Sequence, residues 1–257
     1  MLEVKGLTKD FGGLRAVNDL DFNIQAREIV GLCGPNGAGK TTIFNLITGY
    51  IRPTKGQVIF EGENITGKKP HSIARLGIVR TFQHSSIFTD LSVLENVVMA
   101  NHLRSGVGAL ETVLNTGSNR RKDAAVLKRS RDILELVGLG GMMGVTAKTL
   151  AHGHKRMLGI AIGLAAEPKL LFLDEPLSGM NGEEITEAMG LIKKLWERGL
   201  TILLIEHNMR AAMGLCQRII MISFGKKIAE GPPDEIRRNA EVVKAYLGAS
   251  AYAVKTE

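Results

Sequence analysis

The strongest chemical signal in the chain is the glycine-rich segment GPNGAGKT at residues 34–41. It fits the pattern G-x-x-x-x-G-K-[ST], and it lies between an apolar run at 28–33 and a helical pattern at 42–49. In that context backbone N–H groups converge on an anion, and the helix N-terminus adds positive potential. Lys40 supplies a charge for the β- and γ-phosphates, and the Thr41 hydroxyl can ligate Mg²⁺. The predicted phosphate-binding residues are Gly34, Pro35, Asn36, Gly37, Ala38, Gly39, Lys40, Thr41 and Thr42.

A second chemical element is the run LLFLDEP at 170–176, in which a hydrophobic strand ends in two carboxylates. This pattern places Asp174 at the carboxyl edge of a sheet, where the glycine-rich segment also lies. Asp174 is predicted to hold Mg²⁺ through water, and Glu175 to orient or deprotonate the attacking water. A strand that merely ends in two solvated acids is the alternative, and the glycine-rich segment upstream argues against it.

The composition is that of a globular protein with a substantial core. The 257 residues are 44% hydrophobic with a mean hydropathy of +0.06, and no linker is visible, so residues 1–257 are predicted to form one domain. The most apolar uncharged stretch, 157–166, is about half as long as a bilayer span. The N-terminus lacks a signal-peptide pattern, and Cys33 and Cys216 lack metal or disulfide spacing, so the cytosol is the expected compartment.

The net charge of +7 is unevenly distributed along the chain. Residues 101–131 contain seven Lys and Arg against two Asp and Glu. A solvated helix face explains such a run, and attraction to an anionic membrane leaflet or an acidic partner surface is the alternative. Nucleic-acid binding is not expected, because aromatic residues are 5% of the chain and none interleaves with the basic run.

The first third is predicted to form an antiparallel sheet beside the glycine-rich segment. Short apolar and β-branched runs separated by turns carry this prediction. The runs lie at 2–6, 21–24, 28–32 and 57–61.

The region from 87 to 138 has a helical pattern. Ser92 and Glu95 have the spacing of a capping box, which predicts a helix at 93–102. The segment after it is rich in Gly, Ser, Asn and Thr and is therefore predicted to be a loop. This loop spans residues 105–119. A second helix is predicted at about 120–137, and Gly138 ends it.

The last third alternates strands and helices. Leucine-rich or β-branched runs at 170–173 and 201–205 are typical of strands buried in a parallel sheet. Between them a helical stripe faces the core, and it contains Ile185, Ala188, Met189, Ile192, Leu195 and Trp196. Further strands are predicted at 219–223 and 227–229, and a final helix at about 234–247. The predicted fold is a nucleotide-binding α/β core with a helical insertion at about 84–160.

The chain resembles, along its whole length, the ATPase subunits of ABC transporters. Four further positions match that family's landmarks. Phe11 begins the string FGGLRAV, which ends at Val17, and it resembles the aromatic residue that stacks on adenine. The resemblance places Phe11 and Val17 in the nucleotide site. Gln83 in RTFQ resembles the glutamine that senses Mg²⁺ and contacts the membrane subunit. His207 in IEHN resembles the histidine that touches the γ-phosphate, and SGMN at 178–181 resembles the loop that crosses to the partner subunit.

Longer strings resemble one branch of that family, the branched-chain amino-acid importer ATPases, and within it the longer of the two ATPase subunits. They are GIVRTFQ, EPLSGMN, TILLIEHNM and the tail from GKKIAEGPPDEI to VVKAYLG. Urea-importer and lipopolysaccharide-export ATPases share much of this pattern and stay open as alternatives. The resemblance implies an α/β P-loop NTPase fold with a RecA-like core, an antiparallel β subdomain and a helical subdomain.

The family signature LSGGQ is altered in this chain. The matching segment is Leu150, Ala151, His152, Gly153 and His154, and the resemblance places it against the γ-phosphate held by an opposite subunit. Ala151 has no hydroxyl, so one hydrogen bond to a charged phosphate, about 1.5–3 kcal/mol, is missing. That loss is expected to weaken closure or turnover about ten- to a hundredfold. The alternative is that the loss is tolerated, since some relatives in this branch look similar in lacking the serine. Gly153 keeps the backbone donors and helix dipole, and His154 can donate to phosphate when protonated.

The resemblance also implies cofactors, partners and a location. ATP and Mg²⁺ are the expected cofactors, bound by a homo- or heterodimer with another ABC ATPase chain. Transmembrane permease subunits and a solute-binding protein complete the expected complex, with this chain in the cytoplasm, peripheral on the inner face of the cell membrane. Two other functions stay open: a non-transport ABC ATPase acting on ribosomes or DNA, and a low-turnover regulatory ATP-binding subunit.

Overall fold

The chain forms two β-sheets. The computed structural model describes residues 1–81, 87–105, 117–206 and 208–245, and at 102–105 and 117–122 it describes the backbone but not the side chains. In chain order the strands are β1 (Leu2–Phe11), β2 (Leu14–Ile24), β3 (Ile29–Cys33), β4 (Lys55–Phe60), β5 (Glu63–Asn64), β6 (Ile78–Arg80), β7 (Leu170–Asp174), β8 (Thr201–Ile205), β9 (Arg218–Ser223) and β10 (Lys226–Gly231). The helices are α1 (Lys40–Ile47), α2 (Pro70–Leu76), α3 (Val93–Ser105), α4 (Gly117–Leu136), α5 (His152–Ala165), α6 (Gly182–Glu197), α7 (Met209–Leu215) and α8 (Pro233–Arg238). Over these described ranges, no helix has the length and apolar character needed to cross a bilayer.

The strands form one antiparallel and one mostly parallel sheet. The four-stranded antiparallel sheet has the order β2-β1-β4-β5. The six-stranded sheet has the order β10-β9-β3-β8-β7-β6, in which β10 alone pairs antiparallel with its neighbour. The carboxyl ends of β3, β6, β7 and β8 therefore lie at one edge of the sheet, the edge at which ligands bind in open α/β folds.

The six-stranded sheet is covered on both faces by separate hydrophobic cores. In β7, Leu170 and Phe172 pack with α1 and the antiparallel sheet, whereas Leu171 and Leu173 pack with helices α3 to α7. The rings of Phe44 and Phe172 lie with their centroids 4.7 Å apart and tie α1 to the sheet. Burial on both faces explains why these strands have continuous apolar sequences.

The prediction that the run at 28–32 joins the antiparallel sheet is wrong. That run forms β3, which lies between β8 and β9 and pairs in parallel with both. All five residues of β3 are buried, and such a strand needs cover on both faces, as a central parallel strand has. The other predicted runs correspond to β1, β2 and β4 of the antiparallel sheet.

The helical region begins as predicted at a capping box. The N–H of Glu95 donates to Ser92 Oγ at 3.2 Å, and the N–H of Ser92 donates to Glu95 Oε2 at 2.7 Å. The predicted loop at 105–119 overlaps the start of α4, which begins at Gly117, and its residues 106–116 lie outside the described part of the chain. Buried Asn101 donates to Ser130 Oγ at 2.9 Å and so joins α3 to α4.

The predicted final helix at about 234–247 is interrupted. Helix α8 ends at Arg238, and the Asn239 side chain accepts the N–H groups of Glu241 and Val242 at 2.9 and 3.2 Å. An asparagine in this position starts a new helical turn, so a second helical segment follows and is described as far as residue 245. Residues 246 and 247 lie outside the described ranges.

Candidate nucleotide-binding site

The glycine-rich segment at residues 34–41, here called the phosphate loop, connects β3 to α1 and is pressed against neighbouring backbone. Gly34 has φ +155°, and a Cβ there would lie 2.1 Å from the carbonyl oxygen of Ile222. Gly39 has φ +103°, and its Cβ would lie 2.6 Å from the carbonyl oxygen of Ala16. Larger residues are therefore excluded at both positions by geometry as well as by backbone conformation.

The hairpin between β9 and β10 supports the phosphate loop from behind. The N–H of Gly225 donates to the carbonyl of Ala38 at 2.9 Å, and the Gly225 carbonyl accepts the N–H of Asn18 at 2.9 Å. A Cβ on Gly225, at φ +74°, would lie 2.5 Å from the carbonyl oxygen of Ala16. Sequence reasoning missed this contact, although the Phe224–Gly225 pair between two strand-like runs indicates a two-residue turn.

Lys40 is buried at the first position of α1, and its ammonium group lies on the loop itself. Its Nζ donates to the carbonyls of Gly34 and Pro35 at 2.7 and 2.9 Å. Burial lowers the pKa of Lys40, and the negative charges of Glu175 and Asp174 oppose that shift. The Lys40 ammonium thus lies on the phosphate loop itself, and the charges of both predicted carboxylates act on it.

Asp174, at the end of β7, is paired with a residue that sequence reasoning did not select. Arg80, at the end of the adjacent strand β6, donates Nη2 to Asp174 Oδ2 at 2.6 Å, and both side chains are only 8% exposed. Its Nη1 donates to Asn45 Oδ1 on α1 at 2.5 Å, and its Cζ lies 5.5 Å from the centroid of the Phe44 ring. The sequence does show an arginine at the end of a β-like run, directly before TFQ. It does not show that this arginine pairs with Asp174, because the two residues are 94 positions apart in the chain.

The residues present fit a magnesium ion bound together with a nucleotide. Thr41 lies exposed in the first turn of α1, and Asp174 ends β7, one strand away from β3 across β8. A hydroxyl and a carboxylate are oxygen donors of the kind Mg²⁺ prefers, and Mg²⁺ takes its remaining ligands from phosphates and water. Thr41 and Asp174 are therefore the residues that would hold it.

Glu175, the predicted catalytic residue, has an unusual backbone conformation. Its φ is +48°, and its N–H donates to the carbonyl of Ile205 at 3.0 Å. Five other non-glycine residues of the described chain share a positive φ, so the conformation alone does not mark a site. Glu175 directly follows Asp174 at the carboxyl end of β7, and its role in catalysis stays a prediction.

Glu206 is a second residue that the sequence did not reveal. This carboxylate is 1% exposed, and it accepts the N–H of Leu177 at 3.2 Å and the N–H of Asn208 at 3.4 Å. It thereby joins the segment after β7 to the residue that begins α7. Predicted site residues Gln83 and His207 lie outside the described residues, so their proposed roles stay predictions.

The two residues predicted for the adenine site have different environments. Phe11 is 45% exposed at the end of β1, with the Lys9 ammonium 5.0 Å from its ring centroid. Phe11 is thus partly exposed at the surface, with the Lys9 ammonium over its ring. Val17 is completely buried among the residues of the antiparallel sheet and α1, so its side chain supports the site from within the core and offers no surface to a nucleotide.

The altered signature, here called the signature segment (residues 150–154), forms the N-terminus of α5. Ala151 is the N-cap residue, and no side chain caps the first helical N–H groups. Leu150 and Gly153 are buried, His154 is half-buried, and Ala151 and His152 are exposed. The helix therefore presents uncapped donors and a dipole, a combination that suits an anion.

The signature segment packs against the loop that precedes α6. A Cβ on Gly179, at φ +77°, would lie 2.8 Å from His152 Cδ2, so the imidazole rests directly on that glycine. A Cβ on Gly153 would lie 2.5 Å from Glu184 Oε1. Glu184 also closes a capping box with Asn181, so the two helix N-termini are fixed relative to each other.

Together these elements define a P-loop nucleotide-binding protein: strand, glycine loop and helix, beside a second strand that ends in an acid. A family model described as ABC transporter matches residues 17–178, and one described as branched-chain amino acid ATP-binding cassette transporter matches residues 226–252. The chain belongs to the ATP-binding cassette family of ABC transporters.

Curated relatives match nearly the whole chain. The high-affinity branched-chain amino acid transport ATP-binding protein LivG of Escherichia coli K12 is 42% identical over 249 residues, which cover 96% of this chain and 98% of LivG. The protein BraF of Pseudomonas aeruginosa, which carries the same description, is 41% identical over the same shares of the two chains.

Solved structures share the fold. The ADP conformation of MJ1267, an ATP-binding cassette of an ABC transporter, matches with a TM-score of 0.83 and 26% identity, over 96% of this chain and 98% of that one. A dimeric post-hydrolysis state of the cassette MJ0796, bound to ADP and Pi, matches with a TM-score of 0.75 and 26% identity, over 91% and 99%. These neighbours confirm the predicted α/β P-loop fold.

Proposed function

We propose that this chain binds and hydrolyses ATP to power the uptake of branched-chain amino acids through separate membrane subunits. The observation that carries the proposal is the arrangement at one sheet edge, where the Lys40 ammonium lies on the phosphate loop and Asp174 ends β7 directly before Glu175. The substrate class is supported by LivG and BraF, both described as branched-chain amino acid transport proteins. Family membership supports hydrolysis coupled to transport.

Each residue has a part in the proposed reaction. Lys40 turns from the loop carbonyls to the phosphates, while Asp174 and Thr41 hold Mg²⁺, which supplies charge neutralisation when bound. Glu175 orients or deprotonates the attacking water. Phe11 stacks on the base.

The proposed working unit contains two cassettes. Each chain has one phosphate loop and one signature segment, and the uncapped N-terminus of α5 suits a phosphate held by an opposing chain. MJ0796, a dimeric cassette of the same fold, supports this arrangement. The complex would pair this chain with itself or another ABC ATPase and dock it, with a solute-binding protein outside, onto permease subunits at the inner membrane face.

The dimer is tested by slowing hydrolysis. Glu175→Gln keeps the shape of the side chain but removes the base, so ATP should accumulate in a closed dimer that light scattering detects at twice the monomer mass. Glu183→Gln, at an exposed glutamate in the first turn of α6, is the matched control and should stay monomeric after turnover. A Glu175→Gln protein that forms no dimer with ATP, either alone or together with a co-purifying ABC ATPase chain, contradicts the model.

The substrate is tested in the assembled complex. Membrane subunits that co-purify with this chain are reconstituted in liposomes, and ATP-dependent uptake of radiolabelled leucine, isoleucine and valine is measured with Lys40→Ala as the inactive control. We expect uptake of these amino acids and none of urea. Urea uptake, or extraction of lipopolysaccharide, would replace the proposed substrate and leave the ATPase role intact.

The signature segment supports a second function, a regulatory subunit with low turnover. Ala151 lacks the hydroxyl and His154 replaces the usual glutamine, so closure over a partner's ATP is weakened. Single-turnover kinetics on the complex separates the two functions. Hydrolysis at a rate that matches transport supports the first, and bound ATP that outlasts many transport cycles supports the second.

A further inference from the structure

Two cations and two carboxylates lie at the phosphate end of the sheet, and their pairing is selective. Arg80 binds Asp174, whereas Lys40 binds backbone carbonyls of the phosphate loop, although the charges of Asp174 and Glu175 reach it. Asp174 is therefore paired with Arg80, and the Lys40 ammonium is bonded to the phosphate loop instead of to Asp174 or Glu175.

The geometry of Arg80 suits this assignment. Its planar fork is held by Asn45 on one side and Asp174 on the other, and the face of Phe44 lies beneath it. A guanidinium in such a frame loses little further freedom, whereas a lysine stem would need to be ordered for one contact. Asn45 and Phe44 both belong to α1, so the helix that carries Lys40 also carries the support of Arg80.

The removal of Arg80 would leave a carboxylate that is only 8% exposed without a cation. An uncompensated buried charge is strongly unfavourable, and it attracts a mobile cation. Lys40 can serve as that cation, because it has a flexible stem and its ammonium, bonded to the Gly34 and Pro35 carbonyls, lies at the same sheet edge at which Asp174 ends β7. A Lys40 captured by Asp174 would no longer serve a phosphate.

We propose that Arg80 is a positioning residue that neutralises Asp174, keeps Lys40 available to phosphate, and so allows ATP to bind before a divalent cation arrives. The inference rests on the proposed nucleotide site and adds to it the residue that sets its dependence on Mg²⁺. Once Mg²⁺ is present it offers Asp174 another positive partner, and Arg80 becomes less important.

The test measures the affinity for a fluorescent ATP analogue with excess EDTA and with excess Mg²⁺. Arg80→Gln should weaken metal-free binding about tenfold or more and binding with Mg²⁺ at most about threefold. Arg218→Gln is the matched control, because Arg218 is also a partly buried arginine, paired with Glu28 at 2.8 Å and with Glu230, outside the site. It should leave both affinities unchanged.

A second variant identifies the cause. The pair Arg80→Gln with Asp174→Asn removes both charges and leaves two amides, so metal-free affinity should return to within about threefold of the wild type. A merely structural role for Arg80 predicts no such recovery. Metal-free affinity unchanged in Arg80→Gln, or equally weak in the single and double variants, overturns the inference.

The inference stays testable if Arg80→Gln does not fold. Asp174→Asn alone removes the charge that Arg80 is proposed to offset, so its metal-free affinity should be at least that of the wild type. Metal-free binding weakened about tenfold by Asp174→Asn would overturn the inference. A wild-type protein that binds no analogue even with Mg²⁺ contradicts the proposed function itself, a result distinct from either of these.

Discussion

The two halves of the proposed site are built in opposite ways. In the phosphate-loop half, Lys40 and Asp174 are buried and already paired within the chain. In the signature segment, Ala151 is exposed and the first N–H groups of α5 lack a side-chain cap. The first half is thus completed by its own core, whereas the second presents a helix N-terminus without a side-chain cap. In the proposed dimer, this difference means that one chain prepares the binding of ATP and that closure over the ATP needs the second chain.

The largest expected effect comes from Gly34→Ala, a substitution in the phosphate loop, which belongs to the half of the site that the core completes. Its Cβ would overlap the carbonyl of Ile222, so the variant should lose more than about 3 kcal/mol of stability and its ATP binding. Gly37→Ala is the control, because Gly37 also has a positive φ, +77°, but a Cβ there meets nothing within 4 Å. It should cost about 1 kcal/mol. Thermal unfolding and ATP titration measure both, and equal losses would show that the close approach is unimportant.

The second prediction concerns the half that is left open. Ala151→Ser combined with His154→Gln restores a hydroxyl and an amide toward a partner's phosphate, so ATPase activity of the assembled complex should rise about tenfold. Ala74→Ser, on the exposed face of α2, controls for the added hydroxyl. If the ATPase rate of the double variant stays unchanged, the altered signature segment does not impair activity. The structural difference between the two halves would then have no effect on hydrolysis.

A smaller effect compares two helix N-termini in the same chain. Asn181 caps α6 by accepting the N–H groups of Glu183 and Glu184 at 3.0 Å each, so Asn181→Ala should lose about 1 kcal/mol. Ala151→Ser alone should gain about 0.5–1 kcal/mol, because its hydroxyl can cap α5. Urea unfolding of the isolated protein gives both values. A loss for Ala151→Ser would mean that the N-terminus of α5 is satisfied in another way.

The smallest effect is a pH dependence at the base of the phosphate loop. Burial raises the pKa of Cys33 to about 12 from its ordinary 9.0, so the folded protein keeps this proton where the unfolded chain loses it. The stabilisation is complete below pH 9 and is lost as the pH rises toward 12. From pH 9 to 10 the free energy of unfolding should fall by up to about 1 kcal/mol through this group. The Cys33→Ala variant should lack that part of the slope in urea unfolding at each pH.

Local patterns predicted those parts of the molecule that local interactions determine. The phosphate loop, the apolar strand before Asp174 and the Ser92–Glu95 capping box each depend on neighbours within a few residues, and each was readable. The preference for asparagine at N-caps would also have predicted the interruption at Asn239, but the sequence prediction treated 234–247 as one helix.

Contacts between distant residues were not predictable from one sequence. Arg80 finds Asp174 across 94 positions, and Glu206 finds Leu177 across 29. The placement of β3 in the parallel sheet depends on which strands cover it, which its own five residues do not specify. Pairing across a sheet edge is decided by topology, and residue type alone does not reveal it.

The hairpin at Gly225 has a consequence for the order of events on the ribosome. The GPNGAGKT motif is made before the backbone group that holds the Ala38 carbonyl, which lies 187 residues further along the chain. A nascent chain halted after β9 would contain the whole motif and still lack its backing. We therefore expect the phosphate loop to gain this support only after Gly225 has been made.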